Sequence, residues 1–123
     1  MLDIEVSKIF STVGSITFKP NQIVCLEFNN QSLYSEVIQV IEQRQTCWVR
    51  PILIAQQEKL ICDLRSTSDL ILPVCLFRAC FDTEMLPLWA QLNQIHSISH
   101  HKPTTFNLNV FIQKVWRQNQ EKF

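Results

Sequence analysis

One glycine, Gly14, serves a chain of 123 residues. About nine would be usual at an ordinary frequency of ~7%. Glycine enters positive φ without steric penalty and lets the backbone approach a ligand closely. Sites built on clustered glycines are therefore closed to this chain in their usual form. They include the dinucleotide fingerprint, the P-loop, the kinase glycine-rich loop and the nucleophile elbow. The tight turns must also be made by other residues. Asparagine tolerates the left-handed region best among these. Pro20-Asn21, Asn29-Asn30, Gln43-Arg44-Gln45 and Gln56-Gln57-Glu58 all stand between apolar runs, where turns are needed. Gly14 marks a bend ahead of the first strand.

The runs between those turns read as strands. Ile16-Thr17-Phe18 comes first, then Ile23 to Phe28. Glu36 to Glu42 has helical spacing, but four of its residues are β-branched, which favours a strand. Thr46 to Ile54 pairs back on it, and Lys59 to Leu64 continues an antiparallel meander. Pro51 cannot donate to a ladder, so its strand is an edge or is bent there. After the polar loop Arg65 to Asp69 the chain turns apolar, through Leu70-Ile-Leu-Pro73 to Phe81. Asp82-Thr83-Glu84 has the acidic character of a helix start, with Asp82 as its cap. Leu88, Trp89, Leu92 and Ile95 then share one helical face. Pro87 either marks the true start of this helix or kinks it. Leu108, Phe111, Ile112, Val115 and Trp116 form a second and cleaner stripe, capped by Thr104 or Thr105.

The expected fold is α+β and mostly β, a single domain over residues 1–123. A strand-rich part covers 1–72 and a helical part 82–120. The strands would form a small antiparallel, partly closed barrel of SH3-like or OB-like size. One or two C-terminal helices would pack on it, covering an open edge or the barrel mouth.

Eleven basic and eleven acidic side chains cancel, and charged residues make up only 18% of the chain. Such a surface exerts little pull on nucleic acid and suits association. Residues 93–123 are mildly basic, with four Lys/Arg against one acid; residues 63–92 are mildly acidic. Cys25, Cys47, Cys62, Cys75 and Cys80 are odd in number and have apolar neighbours. They read as buried reduced thiols. The start, Met-Leu-Asp-Ile-Glu, is already acidic and unlike a signal peptide. The longest apolar run, Leu70 to Phe77, is eight residues and too short for the ~20 that span a bilayer. A cytoplasmic protein is expected.

No catalytic signature replaces the missing glycine motifs. His96 and His100 stand four apart, as in helical zinc sites, but Ser97 occupies the place of the HExxH glutamate. The plainer reading is a solvent loop, and no metal or cofactor is expected. Asp63, Arg65, Asp69, Arg78, Asp82 and Glu84 are dense charges in apolar sequence. They read as caps and ion pairs, and as the most plausible place for a partner site. Trp48 and Arg50 share a strand face, with the indole as core and the guanidinium at its rim. Alternatively they anchor a partner, or stack bases with Phe28 or Tyr34 alongside.

The stretches Cys47-Trp-Val-Arg-Pro-Ile, Cys62-Asp-Leu-Arg-Ser-Thr-Ser-Asp-Leu-Ile-Leu-Pro, Leu76-Phe-Arg and Asp82-Thr-Glu resemble small uncharacterised proteins of cyanobacteria. The resemblance implies a cyanobacterial cytosol and carries no activity with it. The function expected from the residues is a non-enzymatic protein-interaction module, an adaptor or assembly factor. Its candidate binding residues are Trp48, Arg50, Arg65, Asp69, Arg78 and Glu84. The first alternative is a single-stranded nucleic-acid-binding barrel using Trp48, Arg50, Lys114 and Arg117. The second is a carboxylate- or metal-dependent enzyme using the acids between Asp63 and Glu84.

Overall fold

A computed structural model describes residues 18–97 and 106–119. Six strands run in the order β1 (Ile23–Phe28), β2 (Gln31–Ile41), β3 (Thr46–Gln56), β4 (Lys59–Asp63), β5 (Leu70–Pro73) and β6 (Arg78–Ala79). Two helices follow, α1 (Asp82–Ser97) and α2 (Leu108–Gln118). All strand pairings are antiparallel. The sheet order is β4-β3-β2-β1-β6, with β5 alongside the other half of β3. The sheet does not close among the described residues, so the barrel is realised only as an open sheet.

The turns fall where the missing glycines predict them. Asn21, Asn29, Asn30, Gln45, Gln57 and Glu58 all have positive φ, between 51° and 72°. Asn29-Asn30 and Gln57-Glu58 each form a two-residue hairpin loop, between the paired residues Phe28/Gln31 and Gln56/Lys59. Positive φ at both central positions is the type I′ pattern, whose twist matches that of the strands. Gly14 lies outside the described residues, as do Ile16 and Thr17 of the first expected strand.

Both faces of the sheet are covered. Val24, Leu26, Leu33, Val37, Cys47, Val49 and Ile54 point to one face, where α2 adds Phe111 and Val115. Phe28 meets Phe111 edge-on, with ring centroids 6.0 Å apart. Cys25, Tyr34, Leu53 and Ala55 point to the other face, where α1 adds Met85, Leu88 and Leu92. Strands buried on both sides read as continuous apolar runs rather than alternating ones. That explains Ile23-Val-Cys-Leu and Pro51-Ile-Leu-Ile-Ala.

Several expectations are corrected in detail. Gln31–Ser35 belongs to β2, and the short β6 pairs with β1 at Val24/Ala79 and Cys25/Arg78. Of the two expectations for Pro51, the edge is corrected, since β3 is a central strand, while an irregularity at this position is present. Pro51 faces Ser35 at a bulge, between the stretches of β3 that pair with β5 and with β4, so its missing N–H interrupts neither outer ladder. Helix α1 runs through Pro87 instead of starting there. Asn107, not a threonine, caps α2, its side chain accepting from the Val110 N–H at 3.2 Å. Of the cysteines, Cys25 and Cys47 are buried, Cys62 and Cys80 are partly covered, and Cys75 is exposed. No helix among the described residues is long and apolar enough to cross a membrane.

Candidate functional site

The six residues singled out from sequence fall into three groups. Trp48 donates its indole N–H to Asp69 at 3.0 Å, and Arg50 donates Nε to the same carboxylate at 3.2 Å. Pairing of Trp48 with Ile71 brings the β5 approach, and hence Asp69, alongside. The Arg50 guanidinium, then the indole, hold the Asp69 carboxyl below the usual range. Phe28 points to the opposite face, and Tyr34 pairs with Leu53, well along β3 from Trp48. Neither joins a stacking surface with Trp48. Arg65 forms the second group, gripping Asp63 through its backbone N–H, Nε and Nη2 at 2.9–3.0 Å. Arg78 and Glu84 form the third, and it is by far the most connected.

Strand register builds this third group. Arg78 on β6 stands beside Cys25 on β1, Cys25 beside Tyr34 on β2, and Tyr34 beside Leu53 on β3. Residues opposite one another in a ladder point to the same face, so these four form a row across four strands. The next row is Glu27, Ser32 and Ala55. The first turn of α1 lowers Glu84 onto the rows. Its Oε1 accepts from Arg78 Nη1 at 3.0 Å and from the Phe81 N–H at 3.2 Å. Its Oε2 accepts from Arg78 Nη2 and from the Tyr34 hydroxyl, the latter at 2.7 Å. Arg78 Nη2 also reaches Glu27 at 2.9 Å.

The bond to Phe81 corrects the expected cap. The first intrahelical-type bond of α1 returns from Met85 to the Phe81 carbonyl, which makes Phe81 the cap residue. Glu84 is the third helical residue and supplies the return half of a capping box, reaching back to the cap N–H, while Phe81 has no side-chain oxygen for the other half. Asp82 is an exposed first-turn acid.

These contacts fix protons rather than move them. The bidentate Arg78 contact outweighs the cost of burial and brings Glu84 down to about 2, with help from Tyr34 and the Phe81 N–H. Burial, then donation to Glu84, pushes the Tyr34 hydroxyl well up. Burial also raises Cys25 to about 11 and, with the Glu84 charge beside it, Cys80 to about 12. Each of these four groups keeps one protonation state across the neutral range. A general acid or base works best with a pKa near the working pH, and a nucleophilic cysteine needs a depressed one.

Above the two rows lies an open cleft of about 640 Å³, roofed by the first two turns of α1. Phe81, Thr83, Glu84, Pro87 and Leu88 line it from the helix; Glu58 and Gln57 close it from the β3–β4 turn. Gln91 ties that turn to the helix, accepting from the Leu60 N–H at 2.8 Å and donating to the Glu58 carbonyl at 3.0 Å. Phe81 is 71% exposed and Leu86 63% exposed on the same helical stretch.

The sequence reading named Arg78 and Glu84 but not Glu27, Tyr34 or Phe81 as members of one site. Tyr34 and Glu84 are 50 residues apart, and Glu27 and Arg78 are 51 apart. Only register joins them. The one available signal was Phe81, a large aromatic set directly before an acidic helix start. His96 lies in α1 but its side chain is outside the described residues, as are His100 and His101 entirely. No group of three or more His, Cys, Asp or Glu among the described residues is arranged to hold a metal ion. No family model, no curated protein and no solved structure matches the chain.

Proposed function

We propose that the chain is a non-enzymatic protein-interaction module, an adaptor or assembly factor, whose binding face is the start of α1 over the Arg78–Glu84–Tyr34 network. The exposure of Phe81 and Leu86 carries this reading. Two large apolar side chains held in water beside a cleft are characteristic of an interaction surface. Their platform is preorganised: Glu84 joins the helix start to β2 and β6, so little order need be gained on binding. Arginine and aromatic side chains at the centre are typical binding anchors. The reading retains the barrel-like character expected from the short turns, with the bulges in β2 and β3 bending the open sheet. It also retains the cytoplasmic location and the cyanobacterial resemblance.

The nucleic-acid reading rests on Lys114 and Arg117, exposed on α2. It is less favoured because Trp48 and Arg50, its stacking pair, both serve Asp69. The enzyme reading draws on the acids between Asp63 and Glu84, and of these Asp63, Asp69 and Glu84 each face a different arginine.

A photoreactive benzoylphenylalanine at position 81, with a control at the exposed Arg44, tests the proposal in cells that make the chain. One polypeptide should be captured in stoichiometric amount from position 81 and not from position 44. Absence of a stoichiometric adduct from position 81 refutes the proposal.

A further inference from the structure

Phe81 is a wall shared by two hollows. On one side is the 640 Å³ cleft; on the other is a smaller one of about 220 Å³. The two differ in chemistry. The large cleft has three carboxylates, Glu27, Glu58 and Glu84, against the single guanidinium of Arg78. Glu84 is occupied by Arg78, Tyr34 and the helix start. Glu27 gives one oxygen to Arg78 while its side chain remains 58% exposed. Glu58 is exposed and lines the cleft from the β3–β4 turn. The large cleft thus keeps an uncompensated negative rim. The smaller hollow is lined by Ile23, Met85, Leu86 and Trp89, with Asp82 its only charged residue.

We infer that this face takes a segment of a partner protein that presents a basic side chain and a large aliphatic one, a few residues apart, astride Phe81. The inference rests on the interaction reading above and names the chemistry of the partner. Charge complementarity selects the basic group. An arginine can fork onto the outward side of Glu27, approach Glu58 and lie against the Phe81 ring, which attracts cations over its face. The aliphatic side chain fills the smaller hollow against Ile23, Met85, Leu86 and Trp89, with Asp82 the one charged side chain among its lining residues. A small cation would fill only one hollow; a polypeptide spans both. The carboxylates at the rim are in water, so they steer and orient the partner more than they tighten it, and salt weakens them.

The test uses the full chain and a series of fluorescein-labelled peptides of about 12 residues in a glycine–serine background. Each carries one arginine and one leucine at a different separation, from adjacent to about one helical turn apart. Anisotropy titrations should find at least one separation that binds, weakening at least about threefold between low and physiological salt. Replacing its arginine by glutamate should abolish binding, and replacing its leucine by serine should weaken it about fivefold or more. Glu27→Gln with Glu58→Gln in the protein should weaken it by a similar factor, as should Phe81→Ala. Glu58 is exposed and forms no salt bridge among the described residues, so Glu58→Gln alone preserves the test if the double variant folds poorly. The inference is overturned if no separation binds better than the serine-only peptide, or if acidic peptides bind equally. Binding unchanged by the glutamate substitutions also overturns it. A position-81 adduct that maps to a partner segment without lysine or arginine overturns this inference and leaves the interaction reading standing. Absence of any adduct removes that reading itself.

Discussion

The hairpin between β3 and β4 stores backbone strain that a two-residue replacement should release. Gln57 and Glu58 sit at φ 52° and 67°, where a Cβ crowds the neighbouring carbonyl. A side-chain-bearing residue in this region costs roughly 1–2 kcal/mol. Glu58→Gly removes that cost but returns about 0.5–1 kcal/mol through a freer unfolded chain. Gln57→Asn adds a few tenths, because asparagine enters the left-handed region more readily. The Gln91 bond to this turn uses the residue-58 carbonyl and survives the change. The double variant should gain about 1 kcal/mol, which for a domain of this size raises Tm by roughly 4 °C. Urea unfolding followed by tryptophan fluorescence should show a higher midpoint at unchanged m. At the other hairpin, Asn29→Gln with Asn30→Glu should lose a few tenths of a kcal/mol per residue, roughly 0.5 kcal/mol in all. If the first variant is no more stable than the parent, or the second is neutral, strain at positive φ is not what distinguishes these turns.

Other consequences are as direct. Glu84→Ala leaves the Tyr34 hydroxyl and Arg78 short of a charged partner and uncaps α1, and should cost about 2–4 kcal/mol in chemical unfolding at pH 7. The folded value of Glu84, about 2, lies below its ordinary 4.5. Its stabilisation is therefore complete above pH 4.5 and is lost as pH falls toward 2; the same unfolding series at decreasing pH should show this decline reduced in Glu84→Gln. Gln91→Ala should cost about 1 kcal/mol and speed hydrogen exchange at the Leu60 amide, which then loses its partner. Alkylation of the native protein, mapped by mass spectrometry, should modify the exposed Cys75 first and leave Cys25 and Cys47 untouched until unfolding. Early labelling of Cys25 would contradict its buried place between Arg78 and Tyr34.

The turns were legible because left-handed backbone narrows the choice of residue so strongly. With glycine absent, Asn21 and Asn29-Asn30 were natural candidates, and polar pairs between apolar runs marked the others. Strands β1, β3 and β4 followed from those turns. The two-sided burial of the sheet was hidden, because a continuous apolar run does not say whether one face or both are covered. Strand β6 was invisible for another reason: two residues carry no period, and their pairing with Cys25 is a tertiary fact. The same limit applied to the site. Arg78 and Glu84 looked like local partners six residues apart, and they are, but Glu27 and Tyr34 arrive through register from more than 50 positions away in one case and 50 in the other. Trp48 and Arg50 stood together on one strand face in the sequence, but Asp69 stood apart from them, whereas the ladder between β3 and β5 makes all three one small ion-paired unit.

The glycine-free hairpins also bear on how the molecule ages. Asparagine side chains deamidate when the following backbone nitrogen attacks the amide, and glycine, the least obstructive successor, makes that attack fastest. Here Asn21 is followed by Gln22, Asn29 by Asn30 and Asn30 by Gln31. Each of these left-handed asparagines is thus followed by a Cβ-bearing residue where attack must begin, so the glycine-free turn is chemically the more durable one. The Asn-Gly replacement at the β3–β4 hairpin would raise the melting temperature while installing the chain's only fast site of isoaspartate formation. Thermodynamic stability and covalent lifetime pull in opposite directions at that turn.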